Sequence, residues 1–126
     1  MMDYVKEALN ILAPNKSWVN RGDYIEWADA EWGANEYKPT WAEINPVIAQ
    51  LRAAEPMRLL REERDRRLAL SDWIVVKSLE NGVAVPQAWK NYRQALRDLP
   101  TTSSPQCWPT DILIMESINW PTPPNA

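Results

Sequence analysis

The chain has 126 residues, 45% hydrophobic and 25% charged, which suits one small domain or two thin modules sharing a core. Its net charge of −3 gives no global attraction to nucleic acid or to an anionic membrane. Histidine is absent and cysteine occurs once, at Cys107, which removes the most common general base, finger-type zinc sites and any internal disulfide.

The aromatic residues are 8 Trp and 4 Tyr with no Phe. Both types join a large apolar body to a polar tip, so they serve thin cores and interfaces alike, and composition does not choose between the two. Charge is uneven: residues 1–56 carry a net −4 and residues 57–126 a net +1. Met1-Met2-Asp3-Tyr4 lacks the basic and apolar regions of a signal peptide. No apolar run approaches the ~20 residues that span a bilayer.

Taken in chain order, the pattern predicts a mainly α fold with one small β-hairpin. Tyr4, Val5, Ala8, Leu9 and Leu12 recur at helical spacing, which predicts a helix over 3–12 with Asp3 as its N-cap and Pro14 as its stop. Residues 18–27 read as a hairpin, Trp18-Val19 entering and Tyr24-Ile25-Glu26-Trp27 leaving. Asn20-Arg21-Gly22-Asp23 supplies its turn. Residues 28–38 read as an acidic loop.

Thr40-Trp41-Ala42-Glu43 has the wording of a capping box and opens a helix over 41–70. Pro46 and Pro56 are each a first-turn proline of a new helix or a kink in a long one. Interior proline costs ~3 kcal/mol, so a bend or break is expected near Pro56. That position also divides the chain into an N-terminal helix–hairpin–helix module, 1–56, and a C-terminal module, 57–126. Five arginines, at 58, 61, 64, 66 and 67, alternate with Glu62, Glu63 and Asp65, a spacing that predicts side-chain ion pairs along a solvated face.

Residues 74–84 read as a connector with an Asn81-Gly82 turn. Pro86 starts a helix over 87–98, whose stripe is Trp89, Tyr92, Leu96 and Leu99, and Pro100 ends it. Turn-rich residues follow. Ile112, Met115 and Ile118 suit a short helix, or 112–115 a short strand. Cys107 reads as a small, at least half-buried apolar residue, with an intermolecular disulfide as the alternative. The closing segment is extended and polyproline-like; it and Trp108-Pro109 are both expected to dock, either on the chain's own helical layer or on a fibre protein.

Three blocks then stand together: residues 60–73 (Leu60-Arg61-Glu62-Glu63-Arg64-Asp65-Arg66-Arg67-Leu68-Ala69-Leu70-Ser71-Asp72-Trp73), residues 89–100 (Trp89-Lys90-Asn91-Tyr92-Arg93-Gln94-Ala95-Leu96-Arg97-Asp98-Leu99-Pro100), and Trp120-Pro121-Thr122-Pro123-Pro124. Their order and wording resemble the phage tail assembly chaperone family. The resemblance implies a protein without enzymatic activity that binds a phage tail-fibre or other tail polypeptide during virion morphogenesis in the host cytoplasm. Self-association is a further option.

A structural adaptor retained on the tail or baseplate to anchor a fibre is the alternative, and a nucleic-acid-binding protein built on the arginine-rich helix ranks behind both. Partner-binding candidates are Trp73, Trp89, Tyr92, Arg93, Arg97, Trp108 and Trp120. An Asp72–Arg93 or Asp72–Arg97 pair has a second use, fixing two helices together.

The residues offer no catalytic constellation. The glycines are isolated, so there is no phosphate loop. Serine lacks a histidine partner, and the dense carboxylates of 23–31 lack the spacing of a calcium loop. No cofactor and no metal is expected.

Overall fold

The computed structural model describes residues 3–14, 17–21, 25–27 and 38–125. It divides into two compact units, residues 1–54 and 55–126. In the first, α1 spans Tyr4–Leu12, and the Asp3 carboxylate accepts the Lys6 N–H at 3.1 Å. Strands β1 (Trp18–Asn20) and β2 (Ile25–Trp27) pair antiparallel, with Val19 opposite Glu26. Of the turn predicted at 20–23, Asn20 is the last residue of β1 and 22–23 lie outside the described residues, as do residues 28–37 of the acidic loop predicted at 28–38.

Helix α2 spans Trp41–Leu70. At its start the Glu43 carboxylate accepts the Thr40 N–H at 3.3 Å and the Thr40 hydroxyl at 3.1 Å. Ala8, Leu9 and Ile44 form the buried centre of this unit, surrounded by Val5, Leu12, Trp18, Ile25, Trp41 and Ile48.

No break occurs at Pro56: α2 is helical for 30 residues through both prolines. Each proline removes only one i→i−4 bond. In the second unit the helix is held beyond that point by Leu60, which is fully buried, and tertiary packing of this kind outweighs local propensity. Glu55, buried beside Pro56, takes a two-pronged bond from Arg58 at 2.9 and 2.5 Å. That bond raises the Arg58 pKa further above its usual value.

The expected connector over 74–84 is wrong in its first half. Residues Asp72–Glu80 form α3. The β-branched run Ile74-Val75-Val76 has weak helix propensity, which hides the helix in the sequence. Burial of Ile74 and Ser78 against the core supplies what propensity lacks. The helix ends in a Schellman motif. Gly82, at φ +63°, donates to the Leu79 carbonyl at 3.2 Å, and Val83 donates to Ser78 at 3.0 Å.

Helix α4 runs Gln87–Thr102, past the proline expected to end it. The last turn is completed by hydroxyls. Thr101 Oγ1 donates to the Asp98 carbonyl at 2.7 Å, and Thr102 reaches the same carbonyl at 3.4 Å. These are carbonyls that a helix end otherwise leaves unsatisfied.

The second unit's core is Leu60, Ile74, Trp89, Tyr92, Leu96, Leu99 and Ile118, with Met57, Leu68, Val85, Leu113 and Trp120 partly buried around it. Edge-to-face pairs join Trp73 to Trp89 (5.7 Å) and Trp89 to Tyr92 (5.8 Å), each adding roughly 0.5–1.5 kcal/mol beyond burial. After α4, Cys107 and Leu113 form an antiparallel bridge around a turn at Trp108–Asp111, and Met115–Ser117 is a single 3-10 turn. Asp111 takes the left-handed conformation this turn needs (φ 62°).

Candidate functional site

The α2–α3 corner is organised by one side chain from α4. Arg93 Nη1 donates to the Leu68 carbonyl at 2.9 Å and to Ser71 Oγ at 2.6 Å, and meets the Asp72 carboxylate at 3.0 Å. It therefore caps the C-terminal end of α2, where a cation is favoured, and grips the first turn of α3. Ser71 Oγ itself donates to Leu68 O at 2.9 Å. Of the two pairs offered for Asp72, the one with Arg93 is formed.

This corner fixes the direction of α3 and the face it leaves uncovered. Ile74 and Ser78 point inward. Leu70, Trp73, Val76, Leu79 and Val83 point outward, at 62, 45, 53, 77 and 61% exposure. Of these, Trp73, Val76 and Leu79 lie on α3 at three-residue spacing and so share one side of the helix; Leu70 is the last residue of α2, and Val83 follows the end of α3. Single exposed apolar residues are ordinary, but three large ones on the same side of one short helix, with two more at its sequence ends, are the kind of exposed apolar surface that marks an interaction site. Lys77 lies 5.9 Å from the Trp73 ring at the stripe's edge.

The sequence-predicted residues are distributed unevenly. Trp89 and Tyr92 are buried at 8% exposure each and are committed to the core. Trp73 is half exposed and meets the cluster edge-on at Trp89. Arg93 serves the α2–α3 corner. Arg97 is exposed on α4. Trp108, in one of the two segments expected to dock on the chain itself or on a fibre, stands at the tip of its turn, 54% exposed, with Ile112 and Met115 also exposed nearby in sequence. Trp120 does dock. It packs on the core, and the Arg67 guanidinium stacks on its ring at 4.2 Å.

Val76, Leu79 and Val83 were missed because residues 74–84 were read as a connector. A signal was present: apolar residues at 70, 73, 76 and 79 followed by Asn81-Gly82 as a helix stop.

The arginine-rich stretch of α2 is largely self-neutralised. Arg58 pairs with Glu55 and Glu62, Arg64 with Asp65, and Arg66 and Arg67 with Glu63. Hydrogen bonds from Arg66, then from Arg67, hold the Glu63 carboxyl down at about 2 against the opposing effect of burial. Partial burial, with the Glu55 and Asp111 charges, pushes the Cys107 thiol up, so it is protonated at neutral pH and a poor nucleophile. Among the described residues no group of three or more carboxylates and thiols is placed to hold a metal, and no helix is long and apolar enough to cross a membrane.

A family model described as phage tail assembly chaperone protein matches residues 57–125, more than half of the chain and nearly all of its second unit. No curated protein and no solved structure matches the chain.

Proposed function

The chain belongs to the phage tail assembly chaperone family, and from that premise we propose that it binds a tail-fibre polypeptide during virion assembly in the host cytoplasm, without catalysis, through the outward stripe of α3. Membership in the family carries the general role in tail assembly. The fibre as partner rests on the chemistry of the surface. Fibre polypeptides expose apolar segments until they assemble, and a protein that covers such segments reversibly needs an apolar centre with a charged rim. Leu70, Trp73, Val76, Leu79 and Val83 supply the centre, with Trp73 as the aromatic anchor. Asp72, Lys77 and Glu80 supply the rim.

The stripe is the single observation behind this reading, because it is exposed on a helix whose opposite face is fully packed. An apolar helical stripe of this length fits an amphipathic helix or an extended apolar strand laid alongside it. Trp89, Tyr92 and Trp120 contribute by holding α3 and α4 in place, and Arg93 by fixing the corner.

Affinity capture of the tagged chain from infected cells, followed by mass spectrometry, tests the reading. The expected result is recovery of the fibre polypeptide from lysate and absence of the chain from purified virions. Presence of the chain in virions at fixed stoichiometry with the fibre would assign it instead as a retained adaptor.

A further inference from the structure

A second surface of the same unit has a different chemistry. A groove of about 450 Å3 runs along α4, lined on its apolar side by Val75 and Val85 and on its polar side by Lys90, Asn91, Gln94 and Arg97. Arg93 also reaches it, but its charge is answered by Asp72. Lys90 and Arg97 have no carboxylate partner among the described residues. The acid on α4, Asp98, accepts from Gln94 at 3.0 Å, and Arg97 donates to the Gln94 side-chain oxygen Oε1 at 3.4 Å. Gln87 donates to the Asn91 oxygen at 2.8 Å, which leaves the Asn91 amide N–H groups to donate into the groove.

We propose that this groove takes an acidic, extended peptide segment, with two carboxylates meeting Lys90 and Arg97 and apolar side chains on Val75 and Val85. This rests on the reading of the protein as a chaperone for a tail polypeptide, of which the segment is a part. Charge complementarity selects the occupant: two unpaired cations face the groove in a chain whose other clustered arginines are mostly neutralised by their own acids. Lys90 and Arg97 are seven residues apart on one helix, about 10 Å along its axis. Carboxylates two or four residues apart on one edge of an extended chain are separated by about 7 or 13 Å, which brackets that span. Backbone amides of such a segment find acceptors and donors in Gln94 and Asn91. A phosphate backbone needs a longer run of free cations than two.

The test titrates the full chain with a short peptide, capped at both ends, that alternates glutamate and valine, and reads backbone amide shifts by NMR. Shifts confined to residues 75 and 85–97 are expected. Affinity is expected to weaken as salt is raised, and to fall by about tenfold or more in the double variant Lys90→Glu, Arg97→Glu, whose melting temperature stays that of the parent.

Equal binding of a control peptide with glutamine in place of glutamate, equal binding by the double variant, shifts elsewhere, or no binding at millimolar peptide would each overturn the proposal. Tighter binding of a single-stranded oligonucleotide at the same amides would also overturn it. The peptide is synthetic, so failure here leaves fibre capture by the α3 stripe untouched, and failure of fibre capture leaves this result untouched.

Discussion

Leu96→Ala is expected to destabilise the second unit by about 2–5 kcal/mol, the usual cost of removing a fully buried leucine and leaving its cavity. Leu96 has no solvent exposure and lies in the cluster with Leu60, Ile74, Trp89 and Tyr92. A unit of this size has only ~4–10 kcal/mol of total stability. The variant should therefore show a much lower urea midpoint, or populate unfolded chain without denaturant. Leu79→Ala is the matched control. Leu79 is 77% exposed, so its loss should change stability by no more than about 0.5 kcal/mol. Equal effects of the two substitutions would mean that the buried and exposed faces are wrongly assigned.

Arg93→Ala is expected to cost about 2–4 kcal/mol, because it strips a largely buried guanidinium from two hydrogen-bond acceptors and one carboxylate. The Leu68 carbonyl then loses its cation, Ser71 loses a donor, and Asp72 loses its partner. Arg93→Lys should recover only part of the loss, since a single ammonium on a flexible stem does not reproduce the planar fork. Urea unfolding of the three proteins measures this. A cost below about 0.5 kcal/mol for the alanine variant would show that the corner is held by packing alone. The sequence offered this arginine both for partner contact and for a pair with Asp72 that fixes two helices, and the pair is the role its geometry shows.

That outcome illustrates what the sequence carried and what it did not. The stripes of α1 and α4, the Thr40–Glu43 cap and the ion pairs along α2 all follow from spacing, because each depends on residues within one or two turns of each other. Helix α3 was not legible for the opposite reason. Its helical state depends on packing of Ile74 and Ser78 against residues distant in sequence, while its local β-branched run argues for a strand or loop. Pro100 misled in the same way: proline chemistry predicts a stop, but Thr101 and Thr102 complete the turn.

The candidate site suffered most from this. The tryptophans of the family-like blocks divided into a buried one, Trp89, a partly buried one, Trp120, and a half-exposed one, Trp73. No periodicity within a single helix makes that division. The spacing of Trp73, Val76 and Leu79 was in the sequence, but which side of α3 faces out depends on the packing of Ile74 and Ser78.

The central claim is that this outside face is what holds the fibre polypeptide. Val76→Glu with Leu79→Glu places two charges in the middle of the stripe, at positions 53 and 77% exposed, and disturbs no buried contact. Capture of purified fibre polypeptide by the parent and by the double variant, with unfolding midpoints measured alongside, tests the claim directly. The expected result is capture weakened by about tenfold or more at an unchanged midpoint, since desolvating a charge at an apolar centre is costly. Undiminished capture by a folded double variant would contradict it and move the binding surface away from α3.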